Sequence, residues 1–475
     1  MILFFSLFIS FLFGLSFSFI LLNEKVVNNF RFLINLSLPI GIGISSVIFI
    51  FFNLLKFSSF HIFLIEITLI VFLIFRVKRD NKTIIHIQRG GFIKLFQSPI
   101  LLLFTVLYIY AWLMDFGVFY FDSIKEPHGL WDAFNYWNLK AKFISRAPYN
   151  WPILFHQLIS ENFHSDYPLI QTGYIARCWL YMKNESVWVP IVFSFIFTFC
   201  TIGLLASSVS FFTNKIKGLI AGLILLATTF YMTMGDSQYA DNTLGFFYLA
   251  TIVLLTLARN GSSIKPNLLI AAGFTAGLCT WTKNEGLLFI VCLYTSQLTL
   301  LFYKNYRELL VELKYLFLGM LPILFLVAYY KIAIAPLNDI IQAQGSQTFV
   351  NLLDYSRYVT VWKWFADTFS TFGKWAINPW WFFLMGILFK GLNFKENRNS
   401  LISNFTILLF MLIGFFFIYI ITPLDLVFHL STSIHRLFFQ LFPTFIFIYF
   451  IALKGDFQIR KSDSADICLN SNSPN

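Results

Sequence analysis

Apolar residues fall along this chain in long unbroken blocks. Thirteen blocks approach the roughly 20 residues that a membrane crossing needs. They lie at 1–22, 32–52, 59–75, 97–114, 187–210, 217–233, 240–258, 266–282, 286–302, 313–332, 379–391, 401–421 and 436–453, and the block at 379–391 is the shortest. A helix that is apolar on every side must be buried in lipid or within a bundle. The pattern therefore predicts an all-α polytopic membrane protein with about 13 transmembrane helices. The first block lacks a basic start and a small-residue cleavage site, so it reads as a span and not as a removable leader. Composition agrees: 12% of residues are charged, against about 25% in soluble domains.

Charge orients the blocks. Lys and Arg keep to the block ends and the segments between them. Segments on one side hold 21 of the 34 basic residues, and the four short segments opposite hold only Lys56, Lys283 and Arg436. Of the remaining ten, nine lie in two long loops on that sparse side and Lys331 at the adjoining block end, and long loops follow charge rules weakly. Basic segments stay cytoplasmic, so the loop carrying Arg76, Lys78, Arg79, Lys82, Arg89 and Lys94 faces inward. The N-terminus then lies outside, and polar residues 454–475 form a disordered cytoplasmic tail. The net charge of +11 is thus a signature of topology and lipid headgroups, and no nucleic-acid partner is expected. The Cys residues read as packing residues.

Carboxylates show the reverse bias. Fourteen of 23 fall outside, and one, Glu66, lies within a block, where it is expected to face the bundle as a structural contact. Six of the seven His residues also lie at or near the outer face. Solubility does not require this asymmetry, whereas chemistry on the outer face would.

Residues 115–186 form the largest outer loop. GLWDAFNYWNLKAKFISR has helical spacing, with Phe134, Trp137, Ala141 and Ile144 on one face and Lys140, Lys142 and Arg146 elsewhere. An aromatic, basic helix suits the membrane interface. A second helix is expected to begin near Pro168. Asp132 and Asp166 each stand at a helix start, where a cap role and a catalytic role are both open. Other outer motifs are GDSQYAD with Asp236 and Asp241, TKNEG with Lys283 and Glu285, and DLVFHLSTSIHR with His429, His435 and Arg436. Lys283 and Glu285 suit a mutual ion pair, or Lys283 suits contact with a lipid-linked phosphate. Arg436 suits a helix anchor or bidentate phosphate recognition. The outer loop 333–378 adds Asp339, Asp354, Arg357, Trp362, Lys363, Trp364 and Trp375. Its aromatics suit membrane contact better than sugar stacking.

The segments GLWDAFNYWNLKAKF, HSDYPLIQTGYIARCW, QYADNTLGFFYL, AGLCTWTKNEG and TPLDLVFHLSTSIHRLFFQLFP resemble those of bacterial multi-pass proteins of the GT-C glycosyltransferase superfamily. That group includes relatives of the protein O-mannosyltransferases and the lipid A aminoarabinose transferases. The resemblance covers roughly residues 97–453, which leaves 1–96 as an N-terminal addition of spans and a basic loop. It implies a polyprenyl-phosphate sugar donor, a glycan, lipid or protein acceptor, and a site facing the periplasm or exterior of a bacterial inner (cytoplasmic) membrane.

In that reading Asp132 is the base and Asp166 joins it in catalysis. Lys283, Glu285, Arg436, His435, Trp131 and Tyr167 bind substrate. The second outer loop contributes Asp241, as a ligand for a divalent metal or in orienting the acceptor. Two other readings stay open: a transporter or flippase for lipid-linked saccharides, and a glycan polymerase or ligase. The sparse charge within the blocks favours surface chemistry over transport, which places polar groups near the midplane.

The predicted orientation is directly testable by thiol labelling in intact cells. Ser145→Cys is expected to react with an impermeant reagent and Ser98→Cys to stay unreacted. The reverse pattern would move every candidate site residue to the cytoplasmic side.

Overall fold

The computed structural model describes residues 2–22, 24–79, 98–157, 164–260, 264–302, 305–338, 344–375, 378–393 and 398–455. Most of the basic loop predicted to be cytoplasmic, Asp339 and nearly all of the C-terminal tail lie outside the described residues. Among the described residues the regular structure is helical, with one isolated extended bridge between Leu392 and Leu453.

A helix occupies every apolar block. In order these are α1 (Ile2–Leu21), α2 (Phe30–Leu54), α3 (Ser59–Arg79) and α4 (Pro99–Lys125). The first outer loop adds α5 (Asn138–Arg146) and α6 (Ile170–Met182). Then come α7 (Trp188–Phe212), α8 (Lys215–Leu226), α9 (Thr229–Asp236), α10 (Ala240–Arg259) and α11 (Pro266–Thr282). The chain continues through α12 (Glu285–Leu298), α13 (Tyr306–Ala333), α14 (Tyr355–Thr371), α15 (Pro379–Lys390), α16 (Arg398–Ile421) and α17 (Leu426–Ala452).

Among the described residues ten helices are long and apolar enough to cross a membrane, or eleven if α8 and α9 form one span bent by 66°. The sequence count of about thirteen is higher because α11 holds 17 residues and α15 only 12. Both are shorter than the roughly 20 residues of a typical span, yet α11 still returns the chain to the start of α10, where Lys283 meets Asp241.

Three boundaries depart from the sequence reading. Helix α4 runs eleven residues past the expected end at 114, because Asp115 alone does not interrupt an otherwise apolar run and the next breaker is Pro127. Helix α17 begins at Leu426, where Asp425 caps it by accepting from Phe428 N at 2.8 Å. The polar HLSTSIHR stretch read as loop is therefore helix. The first loop helix opens with a π-helical turn at Ala133–Trp137. That wider turn rotates the register, so Phe134 is exposed while Trp137, Ala141 and Ile144 stay buried, and Lys140 is buried with them.

Helix α10 is the axis, buried along its length and packed by α7, α11 and α17. Asp241 in its first turn and Arg259 in its last complement the helix dipole. Helices α11 and α13 cross closely. A Cβ at Gly273 would sit 2.1 Å from Leu316 O, and one at Gly319 would sit 2.1 Å from Ile270 O. Small residues at such crossings let backbones approach, and here they fix the Lys283 turn beside the end of α13.

Segments predicted to lie outside gather at one end of the bundle, around the first turn of α10. Segments predicted to lie inside meet elsewhere: Arg259 with Glu312 at 3.3 Å, and Lys217 Nζ with Leu453 O at 3.3 Å. Glu66 of α3 faces the bundle, as expected, and both its oxygens take Arg177 of α6 at 2.7 Å, with neither side chain exposed. Arg177, expected in an interfacial helix, is thus an interior residue that ties the N-terminal helices to the first outer loop.

Breaking a buried pair on one side strands the other charge and costs about 3–5 kcal/mol. Glu66→Ala is therefore expected to destabilise the purified protein by that amount, and Glu66→Leu with Arg177→Met by much less. Equal losses in denaturant titration would contradict this role.

Candidate active site

The outer-end segments close around one cavity of about 730 Å³. One part of its wall is ionic and aromatic, with Trp131, Asp132, Tyr136, His164, Tyr167, Asp241, Lys283, Glu285, Lys331 and Arg436. The other part is apolar, with Leu287 and Leu288 of α12, Phe415 and Ile418 of α16, and Phe428 and Leu437 of α17.

The ionic wall is a connected chain of charges. Asp132 stands before the π turn but its side chain makes no capping bond. Its Oδ2 instead lies 2.7 Å from Arg436 Nη1, and its backbone N–H donates to Tyr239 Oη at 3.3 Å. Arg436 reaches on to Asp241 Oδ2 through Nη2 at 2.7 Å and Nε at 3.2 Å. The Tyr239 ring lies beneath its guanidinium, 4.7 Å away. Asp241 Oδ1 accepts from Lys283 Nζ at 3.0 Å and Gln440 Nε2 at 2.5 Å. Lys283 also pairs with Glu285 Oε1 at 2.7 Å. Burial pushes the Lys283 amine down, but Asp241 and Glu285 outweigh it and hold the amine above its ordinary value. Glu285 Oε2 is buried with no hydrogen-bond partner.

Local structure explains these placements. Arg436 sits in the third turn of α17, one helical turn before Gln440, so both reach Asp241 from the same face. Lys283 and Glu285 flank the turn between α11 and α12, and that turn is held against α13 by the glycine crossing. Asp241 is fully buried, and a carboxylate there is tolerated because cationic and amide donors surround it.

Asp166 lies behind this wall. Its Oδ2 accepts from Asn284 Nδ2 at 2.6 Å and Asn338 Nδ2 at 2.9 Å, and its backbone oxygen accepts from Lys331 Nζ. It thereby fastens the start of α6 to the α11–α12 turn. Buried Lys140 donates to His164 O at 3.1 Å and lies 4.6 Å from the Trp137 ring. Burial, opposed by Asp166, brings its amine down to about 7. Tyr167 is held well above the ordinary phenol range by burial and by Glu285 and Asp166, and so remains a neutral donor.

Of the residues expected from sequence, Asp132, Asp241, Lys283, Glu285, Arg436, Trp131 and Tyr167 line the cavity. His435 is not among the lining residues; its ring lies 6.0 Å from Phe230 of α9, whereas His429 lines the cavity instead. Asp236 ends α9 and is likewise not in the lining. The loop tryptophans Trp362, Trp364 and Trp375 stay outside it too, and Trp362 is exposed.

A divalent ion at Asp241 does not fit these side chains. Both its oxygens are occupied by Lys283, Arg436 and Gln440, and among the described residues no group of three or more His, Cys, Asp or Glu suits a metal. Sequence reasoning missed Tyr136, His164, Asn284, Lys331 and Gln440. Lys331 had a visible signal: a cation one position inside an apolar block end.

No curated protein and no solved structure matches this chain. The sequence profile of the dolichyl-phosphate-mannose-protein mannosyltransferase family matches residues 166–330. That stretch contributes Asp166, Tyr167, Asp241, Lys283, Asn284 and Glu285 to the cavity region, and the match supports a GT-C superfamily glycosyltransferase.

Proposed function

We propose that this protein transfers a sugar from a polyprenyl-phosphate donor to an acceptor hydroxyl at the outer face of a bacterial inner membrane, with inversion. The observation that carries the reading is the cavity's division into an ionic wall and an apolar wall. A prenyl chain is matched by Leu287, Leu288, Phe415 and Ile418, and a sugar phosphate by the charged side. Soluble nucleotide sugars stay in the cytoplasm, so a lipid-linked sugar suits a site outside.

The chemistry assigns roles. The acceptor oxygen bonds to the anomeric carbon as the bond from that carbon to the phosphate oxygen breaks. The acceptor proton passes to Asp132, and polyprenyl phosphate leaves with the bonding electrons. Asp132 is partly exposed in the cavity and is not committed to a helix cap, so it is available to an acceptor. Arg436 fixes its orientation, and the cations of the ionic wall supply positive charge where the phosphate departs. Trp131 and Tyr167 flank the sugar. The unpartnered Glu285 Oε2 accepts from a sugar hydroxyl. Asp166 supports the wall from behind by holding Asn284. This scheme uses no metal.

Removing a general base costs about 10²- to 10⁴-fold in rate. Asp132→Asn keeps the side-chain shape but cannot take the proton. Its turnover is expected to fall by that range, with donor affinity and thermal midpoint little changed. Near-normal turnover in the purified variant would remove Asp132 from the base role.

A further inference from the structure

The ionic wall contains three cations that differ in their partners. Lys283 faces Asp241 and Glu285, and Arg436 faces Asp132 and Asp241. An arriving phosphate must compete with two carboxylates at each. Lys331 is different. Its ammonium lies at the C-terminal end of α13 and lines the same cavity. It donates to the Asp166 backbone oxygen and, at 2.6 Å, to Asn284 Oδ1. Both acceptors are neutral, and among the described residues it makes no ion pair. An ammonium has three donors, so two neutral bonds aim it and leave the third for an anion, with the Asp166 and Glu285 carboxylates near enough to act on it but not paired with it.

Resting on the lipid-phosphate reading above, we propose that Lys331 is the primary anchor for the donor phosphate, aimed by Asn284 and Asp166. Lys283 and Arg436 then serve mainly to hold the carboxylates in place. The carboxylate of Asp166 orients Asn284 through the side-chain amide, whose oxygen in turn faces Lys331. The aiming therefore needs the Asn284 amide specifically, with its nitrogen toward Asp166 and its oxygen toward Lys331.

The test is equilibrium binding of a polyprenyl monophosphate to the purified full-length protein in detergent, with the matching polyprenyl alcohol as a neutral control. The wild type is expected to prefer the monophosphate. Lys331→Gln keeps hydrogen-bond donors to both oxygens but loses the charge. Its monophosphate affinity is expected to fall roughly 10- to 100-fold, with alcohol binding and thermal midpoint little changed. Lys331→Arg is expected to retain most of the preference. Asn284→Asp gives Lys331 a carboxylate partner and is expected to weaken the monophosphate in the same sense, so it decides the matter if Lys331→Gln does not fold. If the wild type does not prefer monophosphate over alcohol, the lipid-phosphate reading itself fails. If the preference persists in both variants, or vanishes instead in Lys283→Gln with Lys331→Gln unaffected, the Lys331 assignment is overturned and the lipid-phosphate reading stands.

Discussion

The cavity end of this bundle depends on one buried carboxylate. Asp241 has no exposure, and an isolated ion there would cost several kcal/mol to desolvate. The chain meets that cost with Arg436 and Gln440 from α17 and Lys283 from the α11–α12 turn. The donors come from two separate parts of the sequence, so satisfying Asp241 fixes both α17 and the α11–α12 turn against α10. Arg436 then carries the arrangement outward to Asp132, and Lys283 carries it to Glu285. The five charges form one connected wall in which Asp241, Arg436 and Lys283 each keep two ionic partners.

The same physics divides labour among the cations. Those already saturated with carboxylates are poor anion receivers and good struts. A cation held by neutral oxygens keeps its field for a ligand. The N-terminal helices use the strut version alone: Glu66 and Arg177 neutralise each other bidentately at 2.7 Å and present nothing to the cavity.

The helices and their common face were legible in the sequence because both follow from composition over long windows. Blocks of apolar residues mark spans, and the sparse basic residues at one set of block ends mark the outer side. The motifs around Asp132, Asp241, Lys283 and Arg436 could be placed on one face for that reason, and they do meet. The local pairing of Lys283 with Glu285 was legible, but pairing between distant segments was not. Local sequence left Asp132 open as a helix cap, and only the reach of Arg436 from α17 shows otherwise. Boundaries failed where polarity misleads: HLSTSIHR reads as loop, yet its Ser and Thr hydroxyls bond back to helix carbonyls, as Ser433 does to His429 O at 2.6 Å. The π turn that exposes Phe134 has no sequence signal in the 3.6-residue period. His435 follows from the family resemblance, but it points about 100° away from Arg436 along the helix and packs toward Phe230.

The account's central claim is that this cavity performs transfer chemistry. The most direct measurement supplies the purified protein in detergent with a polyprenyl-phosphate-linked sugar and an extract of candidate acceptors, and follows free polyprenyl phosphate. Detergent leaves no two sides to transport between. The account predicts release of lipid phosphate in step with sugar appearing on an acceptor. No release with any acceptor, together with movement of the lipid-linked sugar across reconstituted vesicles, would contradict it and make the protein a carrier of such lipids.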